Sequence, residues 1–297
     1  MSANWLKQGE RGSKFLLNLF VHATRILGRP VGRLLLYPIC LYFVVFSRQA
    51  CLASRHYLGK VLGRPAVFTD VFRHYYSFAS VALDRIFLLT GKYQNLNVTV
   101  HNPEILLQYL DNNQACILLG GHMGSFEVMR VLGGDRGLAI RILMYEENAA
   151  KVREVINCLN PELAQRVIAI GEPETLLKVK DAVDNGELIG ILGDRVRAGD
   201  KSIACNFLGA PARFPAGPLT LASVLKVPVV FGVALYRGGN CYEIFFEELD
   251  AQVDLSREHR TEELTLLMQS YVDRLEYYCR MAPYNWFNFY DVWENAQ

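Results

Sequence analysis

The stretch Ile117-Leu-Leu-Gly-Gly-His122-Met-Gly-Ser-Phe-Glu127 decides the fold of this 297-residue chain. Ala115–Leu119 is a short apolar run followed by two glycines, and reads as a buried strand. Ser125 then opens a helical pattern carried by Phe126, Val128, Met129 and Leu132. Were the whole stretch helical, His122 and Glu127 would lie roughly 140° apart around the axis and could not meet. With His122 on the turn between strand and helix, Glu127 in the first helical turn can swing back to the imidazole. A carboxylate there fixes the ring tautomer and leaves the other nitrogen to accept a proton, which suits a base that deprotonates a hydroxyl. The plainer reading is a turn histidine followed by an acid that favours the helix dipole.

Strands and helices alternate outward from this point. Helices are expected at Phe68–Thr90, Pro103–Leu110, Ser125–Leu132, Ala149–Cys158, Glu174–Asn185, Gly217–Leu225 and Thr261–Arg280. Strands are expected at Leu96–Val100, Ala115–Leu119, Leu138–Met144, Val167–Ile170, Leu188–Leu192, Ile203–Phe207, Val229–Leu235 and Tyr242–Phe246, with a hairpin turn at Gly238-Gly239-Asn240. Such alternation predicts an α/β fold, a layered and largely parallel sheet flanked by helices. Reactive groups in such sheets collect beyond the carboxyl ends of the strands. Gly120–Ser125 and Asp194–Lys201 both occupy that position.

The first sixty residues differ. Phe15–Leu27 and Val31–Phe46 are apolar, broken by Gly28-Arg29-Pro30, and neither reaches the about twenty residues of a comfortable bilayer span. Basic residues flank them on both sides, which fits helices lying in one membrane interface or, alternatively, a buried core helix. The chain therefore divides into an N-terminal helical, membrane-associating segment, residues 1–64, and an α/β domain, residues 65–297. The polar Met1–Lys14 and the lack of a cleavage site argue against a removed signal peptide.

Composition excludes several function classes. Hydrophobic residues make up 51% of the chain and the formal net charge is +1, so no global charge points to nucleic acid. Seven cysteines are scattered without a C-x-x-C pair, the usage of a reduced, cytosol-facing protein. No H-E-x-x-H, phosphate-binding loop, dinucleotide fingerprint or G-x-S-x-G is present, so no metal, cofactor or serine nucleophile is expected.

Gly121-His122-Met-Gly-Ser-Phe-Glu127 resembles the acyltransferase motif of the lysophospholipid acyltransferase superfamily, and within it the lipid A biosynthesis (lauroyl/myristoyl-type) branch. Three blocks that follow in order are similar to that branch: Ile189-Gly-Ile-Leu-Gly-Asp194-Arg195, Asn206-Phe-Leu-Gly209-Ala-Pro-Ala-Arg213-Phe-Pro-Ala-Gly217-Pro218, and Val227-Pro-Val-Val230. The resemblance spans roughly Trp5 to Trp293. Leu34–Tyr42 and the tail Trp286-Phe-Asn-Phe-Tyr-Asp-Val-Trp293 are similar to a sub-branch often encoded beside genes for polyene-type or fatty-acid-like lipids.

The resemblance implies an acyltransferase that moves an acyl chain from an acyl carrier protein thioester, or from acyl-CoA, to a hydroxyl or amine of a membrane lipid-like acceptor. It implies His122 as catalytic base with Glu127 holding it, substrate contacts from Ser125, Asn148, Asp194, Arg195 and Arg213, and a place on the cytoplasmic face of a bacterial inner membrane. Tyr145-Glu-Glu-Asn148 departs from the family segment in its two acids, which puts an anionic acceptor's contacts there in doubt. Arg195 has the side chain suited to bidentate phosphate contact, as from a carrier arm, whereas Arg197 and Lys201 read as a solvated loop. Backbone N–H groups at Gly121–Ser125 and the helix start are the expected oxyanion donors. A lipid ester hydrolase using the same two residues, or a non-catalytic lipid-binding protein on the same fold, are the alternatives. His22, His56, His74, His101 and His259 have no partnered spacing and read as structural or exposed. The six aromatics between Tyr284 and Trp293 read as a cap on the core rather than a membrane-interface belt.

Overall fold

A computed structural model of the chain describes residues 14–135, 140–145 and 164–293. Three helices come first: α1 (Lys14–Phe46), α2 (Arg48–Leu62) and α3 (Phe68–Leu89). The break read at Gly28-Arg29-Pro30 is a kink within α1, where Gly28 takes φ 85° and ψ 173°, a conformation open to glycine. Beyond the kink, Gly32, Leu36, Cys40 and Val44 recur every four residues and are buried, as befits one face of a helix packed on α3. The other face leaves Leu34, Leu35, Tyr37, Leu41, Tyr42, Val45 and Phe46 exposed. Gly28–Phe46 is long and apolar enough to cross a membrane, by length and composition. Its root is fixed by Asp84 of α3, which is buried and accepts hydrogen bonds from Arg29, Arg33 and the hydroxyl of Tyr242. Removing one partner of such a buried ionic cluster costs about 3–5 kcal/mol.

The α/β layer carries β1 (Asn97–His101), α4 (Glu104–Asp111), β2 (Cys116–Gly120), α5 (Phe126–Asp135), β3 (Ile140–Tyr145), β4 (Val167–Ile170), α6 (Thr175–Asp184) and β5 (Leu188–Leu192). It continues with β6 (Ser202–Phe207), β7 (Ala210–Pro215), α7 (Gly217–Leu225), β8 (Val229–Gly238), β9 (Cys241–Asp250) and α8 (Arg260–Met281). Seven strands form one sheet in the order β1-β9-β8-β2-β5-β3-β4. All neighbours in it are parallel except β8 and β9, which the expected glycine hairpin joins. Every residue of β2 is buried, as a strand covered on both faces requires. Its side chains alternate between two cores. Ile117 and Leu119 enter the larger, with Leu36 of α1, Leu83 of α3, Leu219 of α7 and Leu275 of α8. Cys116 and Leu118 face the smaller, with Leu106 of α4 and Met129 of α5.

One strand departs from expectation. Residues 210–215, read as a loop bearing Arg213, form β7, antiparallel to β6 across a tight turn at Leu208 and Gly209, both with positive φ. Pro211 and Pro215 disguise it, since proline is tolerated only at sheet edges and each strand of a two-stranded ribbon is an edge. The helix expected at Ala149–Cys158 lies outside the described residues.

Candidate active site

The register of the sheet builds the site. Gly120 of β2 pairs with Leu192 of β5 in parallel. Two residues beyond each lie His122 and Asp194, so the register that aligns the strands also brings these two together. His122 Nδ1 is 2.7 Å from Asp194 Oδ1, and the His122 backbone N–H donates to Asp194 Oδ2 at 2.9 Å. Trp286 Nε1 donates to Oδ2 at 2.9 Å and Asn288 Nδ2 approaches it at 3.4 Å. Asp194 is thus a carboxylate at 1% exposure with donors on both oxygens. The imidazole of His122 keeps 30% of its surface exposed. With Nδ1 engaged, Nε2 is the nitrogen left for a reacting group.

The turn itself is tightly built. Gly124 has φ +60°, and a Cβ there would stand 1.8 Å from the carbonyl oxygen of Ala234, so no other residue fits. The N–H groups of Met123, Gly124 and Ser125 donate to the carbonyls of Gly121, Asn285 and Ala234. Together with His122 N–H on Asp194, this corrects the expectation that the turn amides receive an oxyanion. Four consecutive amides are already bonded within the protein, and what remains of that expectation is the start of α5.

Glu127 is corrected as the partner of the His122 ring. It sits in the first turn of α5, where its carboxylate is 2.5 Å from Arg130 Nη2, three residues on, and 3.4 Å from Arg85 Nη2 of α3. Residues three apart share a helix face, so the nearest cation is a local one. Asp194, approaching from the neighbouring strand, takes the imidazole instead.

The other expected site residues are dispersed. Asp194 is buried, its carboxylate bonded to His122, Trp286 and Asn288. Arg195 donates from Nε to Asn288 Oδ1 at 2.8 Å and from Nη2 to the carbonyl of Phe287 at 3.0 Å. The Nε–Nη2 edge of the guanidinium is therefore committed to the C-terminal segment. Arg213 is exposed on β7, with Ser202 Oγ at 3.5 Å as its polar neighbour. Ser125 is buried ahead of α5. Asn148 lies outside the described residues. The loop after Asp194 is ordered by Asp200, which accepts from the Tyr145 hydroxyl and the Arg197 backbone, while Arg197 stacks on the Tyr145 ring at 4.0 Å.

The electrostatics favour a neutral base over an ionised acid. Burial and the charge of Arg195 lower the pKa of His122, against the opposing pull of Asp194. Burial pushes Asp194 up, but the His122 charge and hydrogen bonds and the Arg195 charge outweigh it and hold the carboxyl at about 2. Asp194 is therefore ionised at neutral pH and orients the His122 ring through Nδ1.

The C-terminal tail packs as the expected cap. Trp286, Phe287 and Trp293 are buried, with Trp286 against Tyr57 and Phe207. The sequence did not disclose what this cap touches. His74 of α3, buried and read as structural, bonds Ser54 and the Trp286 carbonyl. Tyr271 of α8 donates to the carbonyl of Gly120, the last residue of β2, at 2.9 Å.

A family model described as bacterial lipid A biosynthesis acyltransferase matches residues 74–295. No curated protein matches the chain. The match covers most of the sequence and includes β2, His122, Asp194 and the tail. The chain belongs to that family.

Proposed function

We propose that this member of the bacterial lipid A biosynthesis acyltransferase family uses His122, oriented by Asp194, as the base of its transfer reaction. Membership makes the protein an acyltransferase acting on lipid substrates, and the family is membrane-associated. The donor is an acyl carrier protein thioester, with acyl-CoA as the alternative, and the acceptor is a hydroxyl or amine of a membrane lipid. The acceptor oxygen or nitrogen attacks the thioester carbonyl as Nε2 of His122 removes its proton. The carbonyl carbon gains the new C–O or C–N bond, the C–S bond breaks, and the proton passes to the departing thiolate. No acyl-enzyme forms. The carbonyl oxygen, negative in the transition state, is stabilised by the N-terminal end of α5, which begins four residues after His122.

The observation that carries this reading is the Asp194–His122 pair at 2.7 Å, at the carboxyl ends of adjacent parallel strands. Glu127 supports the site indirectly, by fixing the start of α5 to Arg130 and Arg85. Arg213 and Lys201 are exposed cations available to an acidic carrier protein. The exposed apolar face of α1 suits a position on the cytoplasmic face of the inner membrane.

The test is product analysis with purified protein, an acyl carrier protein thioester and a lipid acceptor. Acylated lipid is expected from the wild type and neither acylated lipid nor free acid from His122→Ala. Free fatty acid as the sole product, with or without acceptor, would mean a hydrolase and overturn the transfer reading.

A further inference from the structure

The catalytic turn and the Asp194 loop, 72 residues apart, are both bonded to one short C-terminal segment, Asn285 to Asn288. On the turn side, Gly124 N–H donates to the Asn285 carbonyl at 2.9 Å, Phe287 N–H donates to the His122 carbonyl at 2.7 Å, and Met123 bridges Trp286. On the loop side, Trp286 and Asn288 donate to Asp194 Oδ2, and Arg195 donates to Asn288 and to Phe287. The segment is itself anchored: the Asn285 amide bonds both the N–H and the carbonyl of Tyr236 in β8, and the Trp286 carbonyl receives His74. Its side chains at 285, 286 and 288 are almost wholly buried. Any buried cap must satisfy its own backbone groups, but covering apolar surface does not require two of its side-chain donors to converge on one buried carboxylate.

We propose that Asn285–Asn288 is a positioning strap for the reaction, with Trp286 and Asn288 as positioning residues that hold the Asp194 carboxylate against His122. The proposal rests on the His122–Asp194 reading. A carboxylate with one free oxygen can rotate and offer either lone-pair face. Trp286 and Asn288 join the His122 backbone N–H in donating to Oδ2, fix that oxygen and leave Oδ1 in line with Nδ1 of His122. They also withdraw charge from the carboxylate, so they set how strongly it stabilises a protonated imidazole. The other ionisable groups around Asp194 are Arg195 on its own loop, Tyr271 and Cys279 on α8, and Tyr290 on the tail. Burial raises the last three, so they stay protonated across the range in which His122, lowered from its ordinary value, changes charge.

The experiment compares the pH dependence of kcat/KM for the wild type, Trp286→Phe and Asn288→Ala, with thermal melts to establish folding. Removing a donor from Asp194 leaves more charge to stabilise the imidazolium, so the acid limb should move to higher pH by about half a unit or more, an activity loss of about threefold on the acid side. Biosynthetic 5-fluorotryptophan sharpens the indole donor and should move the limb the opposite way, without relying on a variant that folds. A role in packing alone would lower Tm and kcat with the limb unmoved, and that result would overturn the proposal. Should His122→Ala retain transfer activity, the underlying catalytic reading fails. Should His122→Ala be inactive while neither Trp286→Phe, Asn288→Ala nor fluorinated protein shifts the limb, the strap alone fails.

Discussion

Glu127 and Arg130 form an ion pair at 2.5 Å within the first turns of α5, and Arg130 is a wholly buried cation. The acid five residues after the histidine therefore acts on the helix that follows the turn, and the acid 72 residues away acts on the ring. Separate substitutions distinguish the two. Asp194→Asn keeps the shape but loses the charge and the acceptor pattern that select the tautomer, and should lower kcat by about 10²–10⁴-fold with a modest change in Tm. Glu127→Gln removes the carboxylate charge beside Arg130. Its activity should fall together with stability, by about 3 kcal/mol, and Glu127→Gln/Arg130→Met should recover part of that stability. Parallel melts and steady-state assays on the three proteins check this.

The acid limb of kcat/KM should lie below pH 6.5. His122 must be neutral to accept a proton, and burial with the charge of Arg195 lowers its pKa from that ordinary value. Asp194, held at about 2, remains ionised throughout this range. A pH–rate profile whose acid limb fell above pH 7 would contradict the assignment.

His74 should govern part of the acid sensitivity of folding. Burial pushes it down from 6.5 to about 4. The native state thus holds it neutral while the unfolded chain binds a proton. Stability is complete above pH 6.5 and declines as pH falls from there to about 4, by on the order of 3 kcal/mol. His74→Gln should be less stable at pH 7.5 yet flatter across that interval, as urea titrations at a series of pH values would reveal.

Arg195 and Arg213 should separate kinetically. Arg195→Lys cannot reproduce the fork that bonds Asn288 and Phe287, so its loss should fall on kcat and be insensitive to salt. Arg213→Ala removes an exposed cation, so a carrier-docking role would appear as a raised donor KM whose difference from wild type shrinks with ionic strength. Assays with a purified carrier thioester at several salt concentrations decide it.

Leu34, Leu41 and Val45 are exposed on one face of α1, at 68, 47 and 58%. Replacing all three with glutamate should leave the fold intact, because none enters the core. The variant should move from the salt-washed membrane pellet to the supernatant, whereas the wild type should resist 1 M salt, since apolar insertion is not screened as charge is. Equal fractionation of the two proteins would show that this face does not hold the membrane.

Local periodicity determined much of this protein. The alternation of strands and helices, the kink at Gly28, the turn carrying His122, the glycine hairpin and the capping tail are all set by residues near one another, and each was legible in the sequence. The i, i+3 spacing of Glu127 and Arg130 was equally local, and could have been read as an ion pair before the structure was known. The prolines at 211 and 215 concealed β7, because their cost in a strand depends on whether that strand is an edge.

Tertiary structure alone decided which acid serves His122. Parallel strands are joined by long crossovers, so nothing in the spacing of His122 and Asp194 reveals that Gly120 pairs with Leu192. The same holds for the segment Asn285–Asn288, whose bonds reach residues 49 to 212 positions away, in the turn after β2, the loop after β5, β8 and α3. Sequence specified the strands and the side chains at their ends. Their mutual register depends on how the apolar faces of the whole sheet are buried together, a property of the packed sheet that no single stretch contains.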